Sequence, residues 1–109
     1  EMTMFNKRPK KLAPREVESR IKAGGASFVI DVRENDEWAA GHIPGIRHIP
    51  LSQLPIRLKE LNPNSEYILL CHSGGRSARA CDYLNQRGYR ALDMAGGMSA
   101  WTGQVTFGR

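Results

Sequence analysis

The chain has 109 residues, 40% apolar and 25% charged, with a formal charge of +5 at pH 7. That length suits one α/β domain with a core of its own and leaves little room for a second. Two cysteines are too few for a disulfide-rich secreted framework, and no apolar run approaches the roughly 18 to 20 residues that span a bilayer. No signal-peptide h-region is present either, so the expected protein is cytoplasmic and off the membrane; nothing in the sequence suggests an obligate interface, and a monomer is expected.

Part of the positive excess sits in Lys7-Arg8-Pro9-Lys10-Lys11. It reads as a polar basic lead-in over residues 1–11 and not as a nucleic-acid module, because no recognisable motif or interleaved aromatics accompany it. Pro14 stands where a first helical turn begins, Val17 and Ile21 fall four apart, and Gly24-Gly25 marks a stop. The run Ser27 to Val32 is apolar and β-branched, as in a buried strand. Glu34 to Ala40 gives a short helix, His42-Ile43-Pro44-Gly45 a turn, and His48-Ile49 a short strand. Leu51, Leu54, Leu58 and Leu61 then follow a helical period with Ser52 as a cap, closed by Asn62-Pro63-Asn64. Tyr67 to Leu70 is a second buried strand, Ser77 to Gln86 a helix with Ala80, Cys81 and Leu84 inward, and Gly88 its stop. Ala91 to Met94 supplies another strand, and Gly96-Gly97 leads into a last helical turn ending at Trp101. Strands alternating with helices predict a mainly parallel central sheet with helices on both faces, with a tail over 102–109.

In such a sheet, ligands bind beyond the carboxyl ends of the strands. Cys71 occupies that place, and Cys71-His72-Ser73-Gly74-Gly75-Arg76-Ser77 joins the strand to the next helix. Two glycines let successive N–H groups turn toward one point. With the positive end of the helix, such a nest stabilises an anion, here the Cys71 thiolate. Arg76 would add a permanent charge and a forked donor suited to an oxyanion.

The segment Cys-x-x-Gly-x-Arg-Ser resembles the active-site loop of single-domain rhodanese-like sulfurtransferases. Asp31-Val32-Arg33, Glu37-Trp38 and Gly41-His42-Ile43-Pro44-Gly45 are similar to that family's N-terminal signature, and Ile49-Pro50-Leu51 to its continuation. Gly96-Gly97-Met98-Ser99-Ala100-Trp101 resembles the C-terminal signature, so the likeness runs from Leu12 to Trp101. The resemblance implies a single rhodanese-like domain over residues 12–101 and a two-step transfer. Cys71 takes sulfane sulfur from a thiosulfate-like anion as a persulfide, then gives it to cyanide or a thiol, a protein thiol included. The substrate-binding residues it implies are His72, Ser73, Gly74, Gly75, Arg76 and Ser77, with no metal or organic cofactor. The related cysteine phosphatases place five residues between cysteine and arginine, whereas four stand here, a tighter loop that suits one sulfur better than a phosphate.

Other polar and aromatic residues read more plainly. Cys81 is a small core residue by its spacing, with a resolving thiol for Cys71 as the alternative. Asp31 and Arg33 read as an ion pair ordering the loops, His42 and His48 as structural or surface residues, and Trp38 and Trp101 as packing anchors. The competing function is a partner-docked persulfide relay or interaction module with little activity on free substrates.

Overall fold

Five parallel strands form the sheet in the order β1-β5-β4-β2-β3, in a computed structural model that describes residues 10–109. The strands are β1 (Lys11–Leu12), β2 (Val29–Asp31), β3 (Arg47–His48), β4 (Glu66–Leu70) and β5 (Arg90–Met94). The helices are α1 (Pro14–Arg20), α2 (Asn35–Ala39) and α3 (Gly75–Gln86).

Alternation along the central strands divides the core into two layers. Tyr67 and Leu69 of β4, with Ile30 of β2, face a cluster completed by Ala80, Cys81 and Leu84 of α3. Ile68 and Leu70, with Val29, face Val17 of α1, Ile43 and Met94, with Trp38 and Trp101 at the margin. A strand buried on both faces must be apolar at every position, which is why these runs are continuous.

Helix α3 ends in a hydrogen-bonded turn in which Gly88 N–H donates to Asn85 O and Tyr89 N–H to Leu84 O. Gly88 takes φ +89 there, a left-handed conformation that favours glycine. α1 is shorter than its apolar spacing suggests. It loosens into a wide turn over Ile21–Gly25, and the next strand begins only at Val29, after a helical turn over Ala26–Phe28.

The leucine-spaced segment is the main correction. Residues Leu51–Gln53 and Leu58–Glu60 form two separate 3₁₀ turns, not one helix. Pro55 falls between them, and a proline inside a helix removes a backbone donor and clashes with the preceding turn. Leu54 and Leu61 are still buried, so tight turns deliver the same apolar residues to the core. Ser52 makes no capping hydrogen bond.

Backbone contacts reach beyond residues 12–101 on both sides. Lys11 pairs with Asp93 in the sheet, while residues 7–9 of the basic run lie outside the described residues. The segment after Trp101 turns back, and Thr106 and His42 exchange backbone hydrogen bonds of 2.8 Å. Among the described residues no helix is long and apolar enough to cross a membrane.

Candidate active site

Polar residues gather where the strands end. Asp31 closes β2, Cys71 follows β4, and Asp93 lies near the end of β5. Asp31 is fully buried and receives the Arg33 guanidinium, with Nη2 to Oδ2 at 2.8 Å, while the same nitrogen donates to Gly41 O at 2.8 Å. Trp38 lies between two imidazoles, with ring centroids 3.6 Å from His42 and 4.5 Å from His48. Each histidine donates one ring N–H at 2.7 Å to a carbonyl, His42 to Trp38 and His48 to Arg33. These contacts tie α2 and the turn after it to the ends of β2 and β3.

The loop is shaped by glycine at both its own turn and the one beneath it. Gly74 takes φ +120 and aims its N–H at Cys71 Sγ, 3.0 Å away. Beneath, Gly97 takes φ +56, and a Cβ there would sit 2.7 Å from the His72 carbonyl and closer still to Cys71 O. That close approach lets Met98 N–H reach Cys71 O at 2.8 Å and Ser99 N–H reach His72 O at 2.9 Å. With both carbonyls held from below, the following N–H groups point toward the sulfur.

Cys71 is 1% exposed. Its burial alone would push the thiol up, yet hydrogen bonds from the Ser77 hydroxyl and from the N–H groups of Ser77, Gly74 and Ser73 outweigh that and bring it below its ordinary value. Ser77, on the first turn of α3, is itself buried, with Oγ 3.4 Å from the sulfur and 2.5 Å from Asp93 Oδ1. Burial raises the Asp93 carboxyl above its usual range, against the opposing pull of Ser77 and Lys11. Cys81 is buried one helical turn further along α3, where desolvation and then the nearby acidic groups push its thiol well up.

Arg76 departs from the sequence reading. Its fork is not open toward an oxyanion, because Nη1 and Nη2 donate to the two carboxylate oxygens of Glu37 at 2.7 and 2.8 Å. Glu37 is held at about 2 by this hydrogen bonding to Arg76, partly countered by its desolvation, while its Oε1 also accepts the Glu34 N–H that caps α2. The pair therefore ties α2 to the loop. His72 and Ser73 are exposed at the mouth, Gly74 is half-buried, and Gly75 opens α3. Two hollows, of about 470 Å³ beside Trp38 and His48 and about 360 Å³ beside Ile43 and Trp101, include no residue of the loop.

Glu37, Asp93 and Gly97 are thus parts of the site whose tasks were not read from the sequence. Asp93 had a signal, since a carboxylate in a strand buried on both faces needs a partner. The partner of Arg76 had none, being 39 positions away.

Comparison with known proteins agrees with this architecture. A family model described as a rhodanese-like domain matches residues 13–104. A protein of Bacillus subtilis (strain 168) provisionally named sulfurtransferase YtwF is 36% identical over 96 residues, 88% of this chain and 93% of that one. Another from the same organism, provisionally named sulfur carrier protein YrkF, is 42% identical over 78 residues, 71% of this chain and 42% of that protein. The crystal structure of a rhodanese-like domain protein from Staphylococcus aureus matches with a TM-score of 0.83 at 31% identity, covering 92% of this chain and 99% of that one.

Proposed function

This chain belongs to the rhodanese-like domain family, and on that premise we propose that it is a sulfurtransferase whose Cys71 carries sulfane sulfur as a persulfide. The observation that carries this reading is the Cys71 sulfur at the head of α3, receiving the Gly74 N–H at 3.0 Å with the Ser77 hydroxyl beside it. Such donors favour the thiolate, the nucleophilic form of cysteine.

In the first step the thiolate attacks the outer sulfur of a thiosulfate-like donor. The donor's S–S bond breaks, its electron pair leaves with sulfite, and Cys71 is left one sulfur longer. In the second step cyanide or a thiol attacks that outer sulfur, and Cys71 departs as thiolate. The loop amides favour the anion at both ends of the cycle, and fixed dipoles need no reorganisation as charge appears. His72, Ser73 and Gly75 are the groups an incoming donor meets first, and Ser77 bonds the sulfur from below. The two buried, unbridged thiols suit a reducing compartment such as the cytoplasm, with the domain acting as a monomer.

A specific observation favours a second reading, a relay that takes sulfur from a docked partner. The Arg76 fork is committed to Glu37, so a sulfonate oxygen would have to compete with a carboxylate for it. A persulfide donor makes no such demand.

Intact mass separates these readings. Reduced wild type and Cys71→Ser are exposed briefly to thiosulfate, or to a small-molecule persulfide, and then to cyanide or a thiol. A gain of one sulfur on wild type alone, removed by the acceptor, supports the carrier. A gain from the persulfide but not from thiosulfate favours the relay. No gain from either, with Cys71 reduced and alkylatable, overturns both.

A further inference from the structure

Asp93 has no part in the chemistry above, and its surroundings give it one. It is 1% exposed, and in the sheet it stands beside Leu69 of β4 and Lys11 of β1. Its Oδ1 lies 2.5 Å from the Ser77 hydroxyl oxygen, which lies 3.4 Å from Cys71 Sγ and 3.4 Å from Gly74 O. A serine hydroxyl has one proton to give and lone pairs to receive with. It therefore cannot donate to the carboxylate and to a thiolate at once, and its direction must depend on which neighbour is ionised.

We propose that Asp93 is a positioning residue that takes up the Cys71 proton when the sulfur first becomes anionic and releases it only in a second, more alkaline step, with the Ser77 hydroxyl passing the proton between them. In the thiol state, Cys71 S–H donates to Ser77 Oγ and the Ser77 O–H donates to the Asp93 carboxylate. In the thiolate state, the sulfur's proton has moved to Oγ and the original hydroxyl proton to Oδ1. The neutral carboxyl then donates to Oγ, and the hydroxyl turns its O–H to the sulfur. The S–H and the original O–H bonds break, two new O–H bonds form, and nothing is oxidised or reduced. The unit carries one negative charge throughout.

That constancy is the physical advantage. Ionising the thiol by releasing its proton to solvent would leave two negative groups buried one hydroxyl apart, which is costly in a dry interior. Burial raises the Asp93 carboxyl, and hydrogen bonds bring Cys71 down despite its own burial, so the two proton affinities move toward each other. The other charged or titratable groups facing the unit are Lys11 toward Asp93, Cys81 from α3, and Arg76 with His72 beside Cys71. The inference rests on Cys71 as the reactive group of the proposed function and needs no sulfur donor.

The test is the rate of Cys71 alkylation by iodoacetamide against pH, followed on the Cys71 peptide by mass spectrometry. It is run on wild type, Asp93→Asn and Asp93→Ser, each checked for folding by circular dichroism. Wild type should give two waves separated by a plateau, because a coupled pair loses its protons in two macroscopic steps. The plateau height is the share of molecules with the proton on Asp93. Either folded variant should lose one wave. A single wave in wild type, or two waves surviving in a folded variant, overturns the proposal.

Infrared spectra of wild type carrying ¹³C-labelled aspartate supply a readout that needs no variant. The protonated-carboxyl band of Asp93 should persist across the plateau and vanish with the alkaline wave, and its loss before the plateau overturns the proposal. Failure of sulfur loading overturns the proposed function and leaves these profiles untouched. A one-wave profile overturns this inference and leaves loading untouched.

Discussion

Replacing Glu37 by Gln removes one charge from the pair with Arg76 while leaving an oxygen that can accept the Glu34 N–H, so the start of α2 stays capped. A carboxyl held at about 2 in place of 4.5 sets a ceiling of roughly 3 kcal/mol on what the pair contributes. The side chains are 30% and 31% exposed, and solvent screening cuts that ceiling to about 1–2 kcal/mol. In a domain of this size each kcal/mol moves the melting point by about 4–8 °C, so E37Q should melt about 4–16 °C lower. The sign with pH follows from a depressed carboxyl: the contribution is complete above 4.5 and is lost as pH falls through about 2. The gap between E37Q and wild type should therefore narrow on acidification below 4.5. Thermal unfolding by circular dichroism from neutral pH down to about pH 3 reads this, and a double-mutant cycle with Arg76→Gln isolates the pair. A coupling energy below about 0.3 kcal/mol, or a gap that does not change with pH, refutes the reasoning.

At neutral pH, iodoacetamide should label Cys71 and spare Cys81, whose burial, reinforced by Asp93 and Asp82, pushes its thiol up; peptide mapping reads this, and comparable labelling of both contradicts it. Gly97→Ala should cost about 1–3 kcal/mol in urea unfolding and slow Cys71 alkylation, because the added Cβ would strike the carbonyls that shape the loop. Wild-type behaviour in both assays would mean that the 96–99 turn does not support the loop. Asp31→Asn should cost about 3–5 kcal/mol, since it leaves the Arg33 guanidinium buried without its counter-charge. A urea unfolding free energy within about 0.5 kcal/mol of wild type would refute that burial argument.

What could be read from the sequence was whatever continuous burial or fixed turn chemistry leaves in it. Tyr67 to Leu70 is apolar at every position because both faces of β4 are covered, and Gly88 ends α3 because its φ is positive. The 51–61 segment misled because leucines at spacings of three and four serve two 3₁₀ turns as well as one helix, and Pro55 decides between them. β1 has two residues, too short for any period, and is held by its pairing with β5. The place of Cys71 followed from the strand preceding it, but the direction of the Arg76 fork is a tertiary choice. It depends on α2 presenting Glu37 to the loop.

The two buried carboxylates near the carboxyl ends of the strands have different partners, and that separates their roles. Asp31 is bound by the Arg33 guanidinium through both oxygens. Asp93 forms no ion pair among the described residues and has a hydroxyl as its near partner. A hydroxyl can reverse its donor direction, whereas a guanidinium cannot. The cations of the site are likewise committed, Arg33 to Asp31 and Arg76 to Glu37. The sulfur is then served by backbone N–H groups, by the head of α3 and by Ser77, and of these only the Ser77 hydroxyl can change its direction when Cys71 changes its charge.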